Sequence, residues 1–283
     1  MKKVLGIFIM LLFACTSRDK NEIPTLSVDL HSSDVSFEDL FSKIEIIPLE
    51  TSDSCLLVDV EKIVHVDSLL YVFDSRRPAL YGYLPSLIMR NDRILDMGSL
   101  NPFYEYHDNV YFATAYQNTV YKLTKKGLYP VYCWDFGKDG INDEMLQKYR
   151  LIENEGKRND ELIKDLSDGT LPFCMKFHRE NDLYYYVSLQ KGLGTVNKHI
   201  NVFYRKQDGS TFVFEKLAEN LSITPLLFTE DYIVSKLNFD DYTCLRPFLS
   251  EQDYSKLLSR EEDDNPCLVK FYFRKGGKNS GRM

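Results

Sequence analysis

The sequence predicts an all-β, β-propeller-like fold of about four antiparallel blades with two helical insertions, and three observations predict it. Runs of β-branched and aromatic residues recur at intervals of roughly 8 to 12 residues, the spacing of short strands in an all-β domain. Polar clusters such as Val66-Asp67-Ser68-Leu69, His107-Asp108-Asn109-Val110, Arg179-Glu180-Asn181-Asp182, Lys206-Gln207-Asp208-Gly209 and Thr229-Glu230-Asp231 separate the runs and suit hairpin turns. The runs also gather in fours, the strand count of a propeller blade.

In chain order the runs are Ile44 to Leu49, Val58 to Val66, Leu69 to Asp74, Ala79 to Leu84, Arg93 to Met97, Phe103 to His107, Val110 to Ala115, Thr119 to Leu123 and Tyr129 to Phe136. They continue with Phe173 to His178, Leu183 to Leu189, Ile200 to Arg205, Thr211 to Leu217, Leu226 to Thr229, Tyr232 to Leu237 and Leu268 to Arg274. Four groups result, roughly 58–97, 103–136, 173–217 and 226–274. The last holds three clear strands, and Ile44 to Leu49, alone at the start, could supply its fourth. An N-terminal strand that completes the C-terminal blade removes a free sheet edge, and so closes a ring.

Two stretches leave the β pattern. Asn142 to Leu166 spaces Met145, Leu146, Tyr149 and Ile152, then Leu162, Ile163 and Leu166, at helical intervals around a charged hinge, Glu153 to Asp160. Pro247 to Arg260 opens on a proline suited to a first helical turn and places Leu249, Tyr254, Leu257 and Leu258 on one side.

At the N-terminus, Lys2 and Lys3 precede an apolar run from Val4 to Ala14. The run is too short for a membrane span, which needs about 20 residues, so 1–14 is expected to be a secretion signal. It ends Leu12-Phe13-Ala14-Cys15, which resembles the bacterial lipobox and makes Cys15 the expected lipid attachment site. Residues 15–40 are then a lipidated N-terminus and flexible tether, and 41–283 the propeller-like domain. The chain carries 35 basic and 42 acidic side chains, a net charge of −7, and loss of Lys2 and Lys3 takes the mature form to −9. Such a balance argues against nucleic acid and against electrostatic attachment to anionic lipid, so the expected membrane contact is the lipid itself.

Beyond Cys15 stand Cys55, Cys133, Cys174, Cys244 and Cys267, an odd number without a C-x-x-C pair. No disulfide or zinc site is expected of them; Cys133, Cys174 and Cys267 lie in apolar runs and read as small buried hydrophobes. The five histidines, His31, His65, His107, His178 and His199, lack a second histidine at helical spacing and read as surface or turn residues. No G-x-S-x-G elbow precedes a helix, and Gly192-Leu193-Gly194 has no helix after it. The acidic run Glu261 to Asp264 lacks the spacing of a calcium loop and reads as a solvated cap before the last strand. Tyr71, Tyr81, Tyr83, Tyr104, Tyr106 and Tyr184 to Tyr186 could stack on sugars. Strand alternation assigns at least half of them to packing between blades.

The segments Ile44-Glu45-Ile46-Ile47-Pro48-Leu49-Glu50-Thr51 and Leu70-Tyr71-Val72-Phe73-Asp74-Ser75 resemble those of the six-bladed β-propeller lipoproteins of Bacteroidota. So do Asn118-Thr119-Val120-Tyr121-Lys122-Leu123, Asp135-Phe136-Gly137 and Glu262-Asp263-Asp264-Asn265-Pro266-Cys267-Leu268. The resemblance implies a propeller and no catalytic residue. Where that family carries a Gly-rich turn and further blades, Ser75-Arg76-Arg77-Pro78 runs almost directly into later-blade sequence, which implies an internally shortened member of about four blades, closed or open. The function expected is a non-enzymatic binding or scaffold module for an envelope protein or glycan, lipid-anchored in the cell envelope, with no cofactor. The alternative is a propeller-type hydrolase or lyase with a metal at the central channel, which needs inward His, Asp or Glu residues repeated from blade to blade.

Overall fold

A computed structural model describes residues 23–275, apart from 32, 50, 52–59, 67–68, 75–102, 114–115, 193–196 and 262. The strands are β1 (Thr25–Ser27), β2 (Phe41–Pro48), β3 (Val60–Val66), β4 (Leu69–Asp74), β5 (Phe103–Tyr106), β6 (Asn109–Phe112), β7 (Thr119–Thr124) and β8 (Gly127–Asp135). After them come β9 (Cys174–Glu180), β10 (Tyr184–Lys191), β11 (Lys198–Arg205), β12 (Thr211–Phe214), β13 (Pro225–Phe228), β14 (Tyr232–Leu237) and β15 (Cys267–Phe273). The helices are α1 (Phe37–Leu40), α2 (Asp143–Arg150), α3 (Glu155–Ser167) and α4 (Glu251–Leu258).

These strands form four sheets that match the expected groups. β5 to β8 make the second blade, β9 to β12 the third, and β13, β14, β15 and β2 the fourth. The lone N-terminal strand does complete the last blade: Ile47 pairs with Leu268, Ile46 with Val269 and Ile44 with Phe271. Of the first group the hairpin β3–β4 is described; the expected strands Ala79 to Leu84 and Arg93 to Met97 lie outside the described residues. β5 runs beside β9 and β13 beside β3. Among the described residues no ladder joins one sheet to the next, so the assembly is an open, propeller-like stack.

Strand alternation builds the core. Along β10, Tyr184 and Tyr186 point toward the fourth blade and pack with Phe41, Ile233 and Phe271, while Val187 and Leu189 point toward the second and pack with Val120 and Trp134. The third and fourth sheets therefore bury both faces against neighbours, which explains their near-continuous apolar runs in the sequence. Fully burying each such side chain stabilises the fold by about 1.5–3 kcal/mol.

Residues 23–40 differ from the expected tether. β1 pairs in parallel with the end of β8, Thr25 opposite Cys133 and Ser27 opposite Asp135. Leu26, Val28 and Leu30 are buried against the second and third blades. The Ser33 amide then donates to the Val213 carbonyl of β12 at 2.9 Å, and the Ala218 amide to the Val35 carbonyl at 2.8 Å. α1 places Phe37 and Leu40 in the core just before β2. The segment is thus a belt across the outer edges of three successive blades. Its apolar residues, Leu26, Val28, Leu30, Val35, Phe37 and Leu40, carry too much buried surface for a solvated linker.

The helical insertions also shift. α3 begins at Glu155, capped by the Asn154 side chain. The break from α2 is therefore four residues, and most of the expected hinge is helix. Pro247 lies inside a 3-10 stretch, Phe239–Phe248, and α4 starts only after Ser250, whose hydroxyl accepts from the Asp253 amide. A hydroxyl cap satisfies an orphan amide and so fixes the helix start more firmly than the proline does.

Candidate functional site: a tyrosine seam between the second and third blades

The first strand of the third blade carries an irregularity that shapes the site. Phe177 pairs with Ser188 but Met175 with Leu189, so Lys176 is an extra residue in β9. Strict alternation would send Met175 and His178 to opposite faces. The bulge instead brings Met175, His178 and Glu180 to the side facing the second blade.

There a chain of polar groups crosses the seam. The Tyr132 hydroxyl lies 3.0 Å from His178 Nε2 and 3.2 Å from the Tyr104 hydroxyl. Tyr104 donates to Glu180 Oε1 at 2.8 Å, and Lys206 Nζ donates to Glu180 Oε2 at 2.7 Å. Each phenol has one proton. Because Tyr104 gives its proton to the carboxylate, Tyr132 gives its own to Tyr104, and His178 must donate from Nε2. His178 Nδ1 is then a bare acceptor. It and the Trp134 indole N–H are buried without a protein partner, the two rings 6.1 Å apart.

Burial pushes His178 down to about 3, helped by the neighbouring Arg179 charge, so the imidazole is neutral at ordinary pH. Burial likewise holds the Tyr104 and Tyr132 phenols far above their usual range. These groups therefore form a fixed hydrogen-bonded seam.

Chemistry accessible from outside lies at the rim. Lys206 Nζ sits between the Tyr106 and Tyr185 rings, 4.2 and 4.4 Å from their centroids. Tyr111 and Tyr204 flank this pair, both half-buried. The β5–β6 turn places His107 and Asp108 at φ 45° and 57°, the left-handed conformation of a tight hairpin. That turn delivers His107 Nε2 to 2.8 Å from Asp182 Oδ1, which also accepts from the Tyr106 hydroxyl at 2.9 Å. These bonds hold the Asp182 carboxyl below the usual carboxylate range. The next turn is tied on in the same way: the Asp182 amide donates to Glu230 at 2.9 Å and Asn181 Nδ2 to the Thr229 carbonyl at 3.0 Å. Three first-hairpin turns thus stand side by side at one end of the blades. They offer half-buried tyrosine rings and the exposed His107, Asp182 and Glu230 side chains, groups suited to binding.

Several sequence expectations meet this geometry. His31 and His199 are exposed and His107 is in a turn, whereas His178 is a correction, fully buried because the bulge turns it inward. His65 lies in β3, and its side chain is outside the described residues, as are Cys15, Cys55, Tyr71, Tyr81 and Tyr83. Of the remaining tyrosines, Tyr104, Tyr184 and Tyr186 are buried packing, and Tyr106 and Tyr185 reach the rim. Cys174 and Cys267 are buried, Cys133 and Cys244 half-buried, and all four are free. Among the described residues no three His, Cys, Asp or Glu side chains gather as a metal site requires. No helix among them is long and apolar enough to cross a membrane.

Antiparallel meander sheets packed face to face, the last completed by an N-terminal strand, define an open protein of the β-propeller class. A family model described as 6-bladed beta-propeller, DUF5128, matches residues 14–83 and 88–236, and the chain belongs to that family. No curated protein matches it. A crystal structure of a Bacteroides fragilis NCTC 9343 protein, described as exported, is similar in fold: TM-score 0.64 at 15% identity, covering 89% of this chain and 100% of that one.

Proposed function

We propose that this protein is a cell-envelope lipoprotein, held in the outer membrane by lipid on Cys15 and facing the periplasm or the surface. In this reading its propeller binds an envelope protein or glycan without chemical turnover. The observation that carries the binding half is the rim, where the Tyr106 and Tyr185 faces flank Lys206 beside the Asp182 and Glu230 carboxylates. Sugar hydroxyls and peptide groups find donors and acceptors there, and the half-buried tyrosine rings add apolar contact. The lipobox-like Leu12-Phe13-Ala14-Cys15 supports the anchor. The description of the Bacteroides fragilis neighbour as exported is in keeping with an envelope location.

The test has two arms. Cys15→Ser should abolish lipid labelling and detergent partitioning; equal partitioning of variant and parent would refute the anchor. Capture of partners from envelope extract by the parent and by Tyr106→Ala/Tyr185→Ala should differ at least tenfold and depend weakly on salt, because apolar contact is not screened as net charge is. Equal capture would refute the rim, and turnover dependent on a stoichiometric metal would replace binding with the hydrolase or lyase reading.

A further inference from the structure

The β7–β8 hairpin is chemically unlike the rest of this acidic chain. From Asn118 to Trp134 it holds Lys122, Lys125 and Lys126 and no Asp or Glu. Leu123 and Tyr129, at 43% and 49% exposure, are two of the six exposed large hydrophobics among the described residues. Tyr129 pairs across the ribbon with Lys122, and Leu123 with Leu128, so the two project from opposite faces of one tip. Pro130, without an amide proton, also sits in this outer strand, where a proline is tolerated.

The place of this hairpin is as informative as its composition. β1 lies against β8, and because the pairing is parallel, the N-terminal side of Thr25 faces the hairpin. The Pro24 carbonyl accepts from the Cys133 amide at 2.9 Å, which fixes that approach. Nine residues separate Cys15 from Thr25, a reach of at most about 35 Å. A lipid on Cys15 would keep this corner of the domain within about 35 Å of the bilayer, while α2 and α3 stand at the opposite end of the second blade.

We propose that the β7–β8 tip is a second membrane contact, inserting Leu123 and Tyr129 into the headgroup region of an anionic bilayer with Lys122, Lys125 and Lys126 against the lipid phosphates. This inference rests on the lipoprotein reading for its proximity argument. Tyrosine at the interface, a leucine beside it and snorkelling lysines are the groups that favour this depth. Basic residues near an anionic leaflet add attraction that falls off within a Debye length.

Tryptophan fluorescence tests it, because the single native Trp134 is buried. The lipidated full chain carrying Tyr129→Trp is reconstituted into vesicles of brominated phosphatidylcholine and phosphatidylglycerol. Leu151→Trp, exposed at the end of α2, serves as the control. The new Trp at 129 should be quenched at least twofold and the one at 151 hardly at all. Adding Lys125→Glu/Lys126→Glu should abolish the quenching. Lack of quenching at 129, or equal quenching at both positions, overturns the proposal, as does capture of the tip by a second copy that removes it from lipid. Intact mass separates the two readings: lipid on Cys15 without quenching sinks the hairpin contact, and quenching without lipid sinks the anchor alone.

Discussion

The Tyr132 hydroxyl sits 3.0 Å from Nε2 of His178, joining the last strand of the second blade to the first strand of the third through a neutral, buried imidazole. That contact makes the seam a sensor of acid. Burial pushes His178 down to about 3 in the folded chain from an ordinary value of 6.5. Below 6.5 the unfolded chain binds a proton that the folded chain refuses. The stabilisation is therefore complete above 6.5 and is lost as pH falls toward 3, by up to about 5 kcal/mol.

His178→Gln keeps a donor for Tyr132 and cannot titrate. Its urea midpoint should fall less than the parent's between pH 7 and pH 4. Parallel curves for the two proteins would show that His178 is not the group responsible.

The Glu180–Lys206 pair gives a second prediction, since their side chains are only 4% and 18% exposed. Lys206→Met preserves the stem between the two tyrosine rings but strands a buried carboxylate. A loss of about 3–5 kcal/mol is expected from breaking such a pair on one side. Lys206→Met with Glu180→Gln leaves no charge and should recover most of that loss. A double variant as unstable as the single one would contradict the pairing.

How much of this was legible in the sequence depends on which physical signal each residue carries. β14 and β4 match the expected runs residue for residue, because a short run of apolar and aromatic residues between polar turns is a local signal. The pairing of Ile44 to Pro48 with β15 followed from counting strands. The seam was hidden for a different reason. Moving His178 and Glu180 to the face of Met175 takes one extra residue, Lys176, and a bulge leaves no periodic mark. A histidine and a glutamate two apart within an apolar run were the available hint, since both then share one face of a buried strand. The belt did leave a mark, since Leu26, Val28 and Leu30 alternate with polar residues as in a half-buried strand, but the run is short and what makes it core is contact with distant blades.

Asn181, fully buried, is a clip between blades. Its Oδ1 accepts from the Leu183 and Tyr184 amides at 3.0 and 2.8 Å, and its Nδ2 donates to the Thr229 carbonyl at 3.0 Å. Asn181→Ala removes all three bonds and leaves buried groups unpaired, at a cost of about 3 kcal/mol. Thermal unfolding should register it as a clear fall in Tm. A variant within experimental error of the parent would mean that the third and fourth blades are held by their apolar faces alone.

The belt carries the last prediction. In an open assembly the end blades have a neighbour on one face only, and residues 25–48 add a covalent strap along the outer edges of the second, third and fourth. Phe41 anchors it, with ring centroids 5.3 Å from Phe271, 5.8 Å from Phe273 and 6.2 Å from Phe203. Phe41→Ala should cost about 3–5 kcal/mol, as large-to-small core changes do. Ser33→Pro tests the strap without touching the core, because it deletes the amide that donates to Val213. It should destabilise by a smaller amount and raise hydrogen exchange along β12 before β14. Removing residues 23–50 goes further, baring the β15 edge that β2 pairs. An unpaired apolar edge recruits other chains, so the truncated protein should aggregate when the parent stays soluble. A truncated chain as soluble and as resistant to urea as the parent would mean that the sheets hold together by face-to-face packing without the strap.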